Sequence, residues 1–273
     1  MSGPVRIGVV GAAGRMGLEI VRAAAARDDV EVGSAVEHSG SPLLGADIGA
    51  VAGLGPMGVK ILAGACEAVE AADVMIDLSL PEATADVVEA AVRARRPLVC
   101  GTTGLDSAAM DLLDRAAASI PLLYTTNLSP GIAVMTELLS RAVDSLGESY
   151  DIEIVEMHHR NKVDAPSGTA LSLASAAARA ASFDDDPLVH GRSGKTGVRP
   201  ARVIGMHAVR GGGVFGDHTA ILAGAHERIE ITHRAGSRAL FAEGAIRAAL
   251  FLADAPVGRH TMADVLGLSA NSY

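Results

Sequence analysis

The sequence predicts an α/β protein in which a doubly wound parallel sheet is joined to a second α+β domain that carries a mixed sheet. Two observations lead to this fold class. Through the first half of the 273-residue chain, short apolar runs rich in β-branched residues alternate with helical patterns. After Asn127, strand-like runs follow one another with fewer helices between them, which is typical of a mixed or antiparallel sheet.

In the first half, each predicted strand is a short apolar run of the kind found in buried parallel sheets. The predicted strands are Val5–Val10, Val30–Val36, Asp73–Leu78, Pro97–Cys100 and Ile120–Tyr124. The predicted helices are Gly14–Arg27, a helix that ends near Arg95, and Asp106–Ser119. The stretch Ser79-Leu80-Pro81-Glu82 predicts a capping box at the start of the second of these helices.

The second half begins with a predicted helix and then a longer strand. The predicted helices are Pro130–Leu146, Gly168–Ala181, Arg238–Ala253 and the short Met262–Leu268. The predicted strands are Ser149–Met157, Ala201–Arg210, Thr219–Ala223 and Arg228–Thr232. A polar loop is expected around Asp184–Lys195.

Composition predicts a soluble chain with an aliphatic core. Hydrophobic residues make up 49% of the sequence, but aromatic residues make up only 3% and Trp is absent. The formal net charge of −9 argues against nucleic acid or an anionic membrane as a partner. No apolar run reaches the roughly 18 residues of a membrane helix, and the first apolar run is too short for a signal peptide. We therefore expect a cytoplasmic protein.

The two cysteines, Cys66 and Cys100, are too few for a disulfide framework or a Cys-rich zinc site. Both lie in or near apolar stretches, so we expect two buried thiols. No metal site is expected from the sequence.

A glycine-rich turn between the first strand and the first helix predicts a Rossmann-like dinucleotide site. Glycine at positions 11, 14 and 17 gives the spacing GxxGxxG, with Ala12 where the standard GxGxxG motif has its second glycine. Such a turn lets the backbone approach a pyrophosphate at the helix N-terminus. Glu37 ends the second strand, where an acid commonly binds the adenine-ribose hydroxyls. The alternative is a glycine-rich turn that binds no ligand.

Cofactor choice stays open in the sequence. His38 follows the acid, where an arginine would favour a 2′-phosphate, so NADH and NADPH both remain candidates. Two further segments end later strands of the same sheet, where ligands of such folds bind. The predicted cofactor-binding residues are Gly11, Ala12, Ala13, Gly14, Arg15, Met16, Glu37, His38, Gly101, Thr102, Thr103, Thr125, Thr126, Asn127 and Leu128.

A basic cluster in the second half predicts a site for an anion that also needs a proton. His158 and His159 close the long strand, and Lys162 follows on the loop. Ser167 is a good N-cap for the next helix, whose first amides, at Gly168 and Thr169, suit a carboxylate. A histidine has an ordinary pKa of about 6.5 and can supply a proton near neutrality.

Other interpretations of this cluster are possible. A solvated basic loop would show the same pattern, and two histidines could bind a metal, although no Cys or acidic residues complete a convincing site. Ser167 as a nucleophile is disfavoured, because no nucleophile-elbow motif surrounds it.

The chain closely resembles the 4-hydroxy-tetrahydrodipicolinate reductase family, formerly called dihydrodipicolinate reductases. The specific stretch is EIVEMHHRNKVDAPSGTA at residues 153–170. Supporting motifs are VGAAGRMG at 10–17, CGTTG at 100–104, NLSPG at 127–131 and GDHTA at 216–220. The resemblance runs over nearly the whole chain.

The resemblance implies roles for individual residues. His158 matches the family's proton donor and acceptor, Lys162 its second acid, and His159, Gly168 and Thr169 its positions for a small dicarboxylate substrate. It also implies a homotetramer built through the sheets of the second domain. The implied domains are residues 1–126 plus 239–273, which bind the dinucleotide, and residues 127–238, which bind substrate and oligomerise.

The reaction implied by the resemblance is loss of the 4-hydroxyl of the substrate as water, hydride addition at ring C4, and protonation at C3. Arg238 is either a bidentate clamp for a substrate carboxylate or a surface cation at a helix start. Two rival functions remain. One is another oxidoreductase of the same architecture, such as an aspartate or homoserine-pathway dehydrogenase, which a catalytic cysteine in place of the HHxxK pattern would favour; no cysteine is so placed. The other is a redox sensor that binds dinucleotide without turnover.

Overall fold

The computed structural model describes residues 3–183 and 187–268, and the chain divides into two compact units. Unit 1 is formed by residues 1–130 together with 238–273, and unit 2 by residues 131–237. The predicted fold class is confirmed: unit 1 contains a parallel seven-stranded sheet with flanking helices, and unit 2 contains a mixed five-stranded sheet.

Unit 1 begins with five βα segments. Its strands in this part are β1 (Val5–Val10), β2 (Val30–Val36), β3 (Ile61–Leu62), β4 (Val74–Asp77), β5 (Leu98–Cys100) and β6 (Pro121–Tyr124). Its helices are α1 (Arg15–Ala25), α2 (Ile48–Val51), α3 (Ala65–Ala68), α4 (Pro81–Ala94) and α5 (Ser107–Ala117), with a 3₁₀ turn at Val69–Ala71.

Unit 2 contains two long helices and five strands. The helices are α6 (Pro130–Leu146) and α7 (Gly168–Ala180), with a 3₁₀ turn at Gly147–Ser149. The strands are β7 (Asp151–His158), β8 (Leu188–His190), β9 (Ile204–Arg210), β10 (Asp217–Ala223) and β11 (Arg228–Arg234). The chain then returns to unit 1 with α8 (Ala239–Ala253), β12 (Gly258–His260) and α9 (Met262–Val265).

The sheet of unit 1 has the strand order β12-β6-β5-β4-β1-β2-β3, and every pair in it is parallel. Because the strands are parallel, their carboxyl ends meet at one edge of the sheet. The direction of winding reverses at β1, whose neighbours are β4 and β2. Helix α8 packs against α1 and against β4 and β5, so the C-terminal segment completes the cover of this sheet.

The sheet of unit 2 is built around β7. It pairs antiparallel with β10 and parallel with β9, while β11 and β8 form the two edges. Side chains alternate along β7, and Ile152, Ile154, Glu156 and His158 all lie on its buried face. The first two pack in the core with side chains of α6 and α7. The same row of the strand therefore continues from the aliphatic core into two ionisable residues.

The predicted capping box at Ser79 is wrong. Helix α4 starts from Leu80 without a side-chain cap, with Pro81 in its first turn. Both the amide and the hydroxyl of Ser79 instead donate to the carboxylate of Asp77, at 3.0 and 2.5 Å. Asp77 is fully buried, and a buried carboxylate needs such donors more than a helix end in solvent does.

Other differences from the sequence predictions concern short elements and one thiol. Cys100 is buried as expected, but Cys66 is exposed, because the short helix α3 directs its two alanines inward and leaves Cys66 at the surface.

Strands β3, β8 and β12 were not predicted, since runs of two or three residues show no periodicity. Strand β8 lies within the predicted polar loop, of which residues 184–186 lie outside the described part of the chain. The final helix ends at Val265, earlier than predicted. Among the described residues, no helix is long and apolar enough to cross a bilayer.

Candidate active site

The glycine-rich turn between β1 and α1 has the backbone shape of an anion site. Gly11 has a φ of 75°, in the region that favours glycine. A Cβ at Gly17 would lie 2.2 Å from the carbonyl oxygen of Gly11, so only glycine allows α1 to pack this closely on the turn. The N-cap of α1 is Gly14, which offers no side chain to the first-turn amides. These N–H groups and the helix dipole can therefore hold a phosphate.

Glu37 is held directly against this turn. It follows β2, and its Oε1 accepts a hydrogen bond of 2.8 Å from the amide of Ala13. The amides of Gly11 and Ala12 both donate to the carbonyl of Val36, which fixes the turn to the end of the same strand. The next residue, His38, is exposed.

An open pocket of about 350 Å³ lies at the carboxyl ends of β4, β5 and β6. The predicted segments that line it are residues 101–103 and 125–128, together with Met16. Leu78, Ser79, Arg238 and Phe241 also line it. All the predicted cofactor-binding residues thus lie in unit 1, either in this pocket or at the neighbouring ends of β1 and β2.

Cys100 stands beneath this pocket but is not a nucleophile. Burial and the nearby charge of Asp77 raise the pKa of its thiol to about 12. A thiolate, which is the reactive form, is therefore absent at neutral pH. This argues against the dehydrogenases that use a catalytic cysteine.

In unit 2, the loop between β7 and α7 carries the basic cluster. The Ser167 hydroxyl accepts a hydrogen bond of 3.2 Å from the amide of Ala170, which confirms Ser167 as the N-cap of α7. Gly168 is exposed and Thr169 is half-buried at the start of the helix. The first amides of α7 thus lie at the end of this loop, as an anion site requires.

His158 is the last residue of β7, and His159 lies just beyond the strand. The Nδ1 atom of His158 lies 2.6 Å from Oε2 of Glu156, which points to the same face of the strand. Gly216 borders the opposite side of the ring, where a Cβ would lie 2.9 Å from Nε2. Glycine in the GDHTA motif therefore leaves space beside the second ring nitrogen.

Glu156 is 0% exposed, and its carboxylate has other partners besides His158. The Arg210 guanidinium donates to both of its oxygens at 2.8 Å, and the amide of Ser167 donates to Oε1 at 3.1 Å. Burial would raise the pKa of this carboxyl, but hydrogen bonds from Arg210 and His158 outweigh burial and lower it. Glu156 is therefore a carboxylate at neutral pH.

Lys162 forms an ion pair with Asp164, with Nζ 2.9 Å from Oδ1, and this contact lowers the pKa of Asp164. The lysine remains partly open to solvent. His159 is half-buried, and its backbone carbonyl accepts a hydrogen bond from the amide of Lys162. The loop thus brings the imidazole of His158, the ammonium of Lys162 and the helix end into one unit.

His218 is a further buried member of this cluster. It is 3% exposed, its Nε2 lies 3.1 Å from the Ser167 hydroxyl, and its ring meets that of His158 edge-on, with centroids 5.2 Å apart. Burial, with a smaller contribution from the charge of His158, lowers the pKa of His218 to about 4. His218 is therefore neutral at pH 7 and can accept the hydroxyl proton of Ser167.

Comparison with known proteins identifies the family. Residues 5–128 match the family described as the N-terminus of dihydrodipicolinate reductase, and residues 131–266 match its C-terminus. The chain belongs to the dihydrodipicolinate reductase family. A 4-hydroxy-tetrahydrodipicolinate reductase of Alkalilimnicola ehrlichii is 48% identical over 96% of this chain and 99% of the relative. One of Halorhodospira halophila is 43% identical over 96% and 98%.

Solved structures support the fold. A dihydrodipicolinate reductase from Paenisporosarcina sp. TG-14, with dipicolinate bound, superposes with a TM-score of 0.73 at 20% identity, over 94% of this chain and 97% of that one. An amine dehydrogenase from Mycobacterium smegmatis reaches a TM-score of 0.59 at 12% identity, over 96% of each chain. At these identities the likeness concerns the fold alone.

Dihydrodipicolinate reductases are oxidoreductases that use NADH or NADPH. The residues present fit such a dinucleotide, on two observations. Helix α1 begins without a side-chain cap behind a turn that only glycine can form, which suits a pyrophosphate. The pocket at the strand ends is of the size and place expected for the nicotinamide half.

Several residues that the structure adds to the basic cluster were not predicted. Glu156 and Arg210 lie 54 positions apart, and His218 lies 51 positions from Ser167, so no local pattern joins them. Two signals were present in the sequence. Glu156 stands two residues before His158, hence on the same face of the strand, and His218 belongs to the GDHTA motif.

We predict that His218 makes the stability of this reductase depend on pH. In the folded chain the pKa of His218 is about 4, whereas the unfolded value is 6.5, so the unfolded chain takes up the proton first as the pH falls. The stabilisation is complete above pH 6.5 and is lost towards pH 4. Between pH 7.5 and pH 5 the loss should be about 2 kcal/mol. Urea unfolding of wild type and His218→Gln at several pH values measures it.

The matched control is His226→Gln, which removes an exposed histidine from the same unit. It should keep the wild-type dependence, whereas His218→Gln should flatten it. Equal slopes for wild type and His218→Gln would contradict the prediction.

Proposed function

We propose that this chain reduces 4-hydroxy-tetrahydrodipicolinate, by way of dihydrodipicolinate, to tetrahydrodipicolinate with NADH or NADPH in the diaminopimelate route to lysine. The observation that carries the proposal is the near full-length match, at 48% identity, to a curated reductase of that name. Unit 1 binds the dinucleotide and unit 2 binds the substrate. A cytoplasmic location belongs to the same proposal, because the reduced dinucleotides are held inside the cell.

The substrate is a ring with two carboxylates, and the loop before α7 is suited to it. Lys162 and His159 supply cationic or hydrogen-bonding side chains, and Gly168 and Thr169 supply the amides of an N-terminal helix turn. The Paenisporosarcina reductase was solved with dipicolinate, which is also a ring dicarboxylate. A local need for cations explains this cluster in a chain of net charge −9.

Protonation of the substrate is assigned to His158 and Lys162. After loss of the 4-hydroxyl as water, the NADH or NADPH that unit 1 would hold would supply a hydride to ring C4. The resulting enamine then needs a proton at C3, and a positioned acid is required there. His158 offers Nε2 for this step because Glu156 engages Nδ1. Lys162 stabilises the negative charge of the substrate and acts as the second acid.

Cofactor preference is proposed from the environment of Glu37. Its carboxylate lies against the turn through Ala13, where the negative charge would repel a 2′-phosphate. His38 is exposed beside it and is a weaker phosphate ligand than arginine. NADH should therefore serve at least as well as NADPH.

A coupled assay tests the function. The aldolase product of pyruvate and aspartate semialdehyde is supplied, and loss of reduced dinucleotide is followed by absorbance with NADH and NADPH separately. We expect turnover with NADH, and His38→Arg should raise kcat/KM for NADPH by a factor of about 10, the size of one charge-assisted hydrogen bond. Binding of dinucleotide without turnover would favour the redox sensor.

We predict that His158→Gln lowers kcat by a factor of about 10² or more while affinity for NADH is kept, because the variant loses only the proton donor. Lys162→Ala should impair both substrate binding and turnover, because it removes an ammonium that serves both. Steady-state kinetics and the fluorescence of bound NADH measure these effects.

The control is His190→Gln, at an exposed histidine of β8. It should behave as wild type. Undiminished turnover in His158→Gln would remove His158 from the mechanism, and normal kinetics in Lys162→Ala would do the same for Lys162.

We propose in addition that the reductase is a homotetramer joined through the outer face of the unit 2 sheet. The inner face packs with α6 and α7. The outer face carries the apolar side chains of Val155, Met157, Val209 and Ile221, of which Val209 is 42% exposed. Apolar side chains exposed on a sheet face favour contact with another copy.

We predict a solution mass of four times the 27.7 kDa chain in light scattering. Val209→Glu should give a smaller species, because a carboxylate on the sheet face would be buried without a partner. Val257→Glu, at an exposed valine of unit 1, should leave the mass unchanged. A monomer at micromolar concentration would contradict the assembly.

A further inference from the structure

The loop from residue 159 to residue 166 has one buried anchor for both of its ends. At its start, Nδ1 of His158 lies 2.6 Å from Oε2 of Glu156. At its end, the amide of Ser167 donates to Oε1 of the same carboxylate at 3.1 Å. Arg210 binds both oxygens and also donates to the carbonyl of Asp164, at 2.7 Å. A single ion pair thus holds the loop at three places.

The chemistry of this contact decides which nitrogen of His158 carries the proton. A carboxylate only accepts hydrogen bonds, and the pKa of Glu156 is lowered below its usual value by Arg210 and His158 against the opposing effect of burial. The nitrogen that faces it, Nδ1, must therefore carry a hydrogen. The nitrogen left to exchange a proton with the substrate is Nε2, which borders Gly216.

We propose that Glu156 is a positioning residue for the reduction: it fixes the tautomer of His158 so that the proton leaves from Nε2, and it holds that ring in register with the first amides of α7. This inference rests on the proposed role of His158 as proton donor. The second oxygen of the same group sets the place of Ser167, so the donor and the anion-binding helix end cannot shift independently.

Arg210 opposes Glu156 electrostatically. Its charge stabilises the carboxylate but also reduces the pull of that carboxylate on the imidazolium form of His158. Of the other charged or titratable groups, His218 on β10 meets the ring edge-on. His233 on β11 and Lys162 on the loop act electrostatically on His218, and Asp164 acts on Arg210. None of them shares a hydrogen bond with Nδ1, which Glu156 engages.

The test is the pH dependence of kcat in three variants. Glu156→Gln keeps an oxygen for Ser167 but turns an NH₂ group towards Nδ1, so kcat should fall by a factor of about 10 to 100, while KM for the substrate changes by less than about threefold. The fall of kcat at high pH, where the donor is deprotonated, should begin about one pH unit lower, because a neighbouring negative charge is lost.

The fall of kcat at high pH is the alkaline limb of the pH profile. Arg210→Gln should move this limb in the opposite direction, to higher pH, because the variant removes a positive charge near the ring. Glu156→Asp retains the negative charge on a shorter side chain. The alkaline limb of Glu156→Asp should therefore be displaced less from wild type than the alkaline limb of Glu156→Gln. Circular dichroism and NADH affinity show whether each variant is folded. If Glu156→Gln does not fold, Glu156→Asp takes its place, because its shorter side chain draws the carboxylate away from Nδ1, and an unchanged kcat would contradict the positioning role.

The matched control is Glu153→Gln on the opposite face of β7. Glu153 is also bound by guanidinium groups and a histidine, in this case Arg192, Arg199 and His207. These contacts outweigh burial and bring its pKa to about 2. Loss of this charge should leave the pH limb in place, even if the protein becomes less stable.

The outcomes separate the two proposals. Opposite shifts in Glu156→Gln and Arg210→Gln, with an unmoved Glu153→Gln, support Glu156 as the positioning residue. Unmoved limbs in both variants, with His158→Gln inactive, overturn this inference and leave the function standing. Full activity of His158→Gln overturns the proposed proton donor itself.

Discussion

The buried carboxylate of Glu156 is the contact on which the basic loop depends. Taking a carboxylate out of water costs several kcal/mol, and here that cost is offset by donors from Arg210, His158 and Ser167. Each donor comes from a different element, so satisfying one charge fixes the end of β7, the start of α7 and strand β9 together. Residues of a loop without regular structure thereby gain a defined geometry.

Unit 1 uses the same device at the ends of its parallel strands. Asp77 ends β4, and its carboxylate accepts hydrogen bonds from the amide of Ser79 and from the hydroxyl of Thr84, the latter at 3.1 Å. These bonds fix the position of Ser79, which lines the strand-end pocket. Glu37 follows β2 and accepts from the amide of Ala13 in the glycine-rich turn. In each case an acidic residue at a strand end orders the backbone of the connection that follows.

The fold class and the principal strands and helices could be predicted from the sequence, because periodicity and glycine-rich turns are local signals. The N-cap at Ser167 was predictable for the same reason. The partners of Glu156 could not be predicted, since Arg210 reaches it through sheet pairing across 54 positions. The cap at Ser79 failed because a local motif competed with the buried charge of Asp77. Short strands such as β3 and β12 depend on neighbours rather than on their own residues.

The order of elements along the chain has a consequence for biosynthesis. Helix α8 and the edge strand β12 belong to unit 1 but follow all of unit 2 in sequence. A nascent chain leaving the ribosome therefore completes the strands of unit 2 while one apolar side of the first sheet still lacks α8. That side is covered only when translation is almost finished, so a truncation before residue 238 would expose it and favour aggregation.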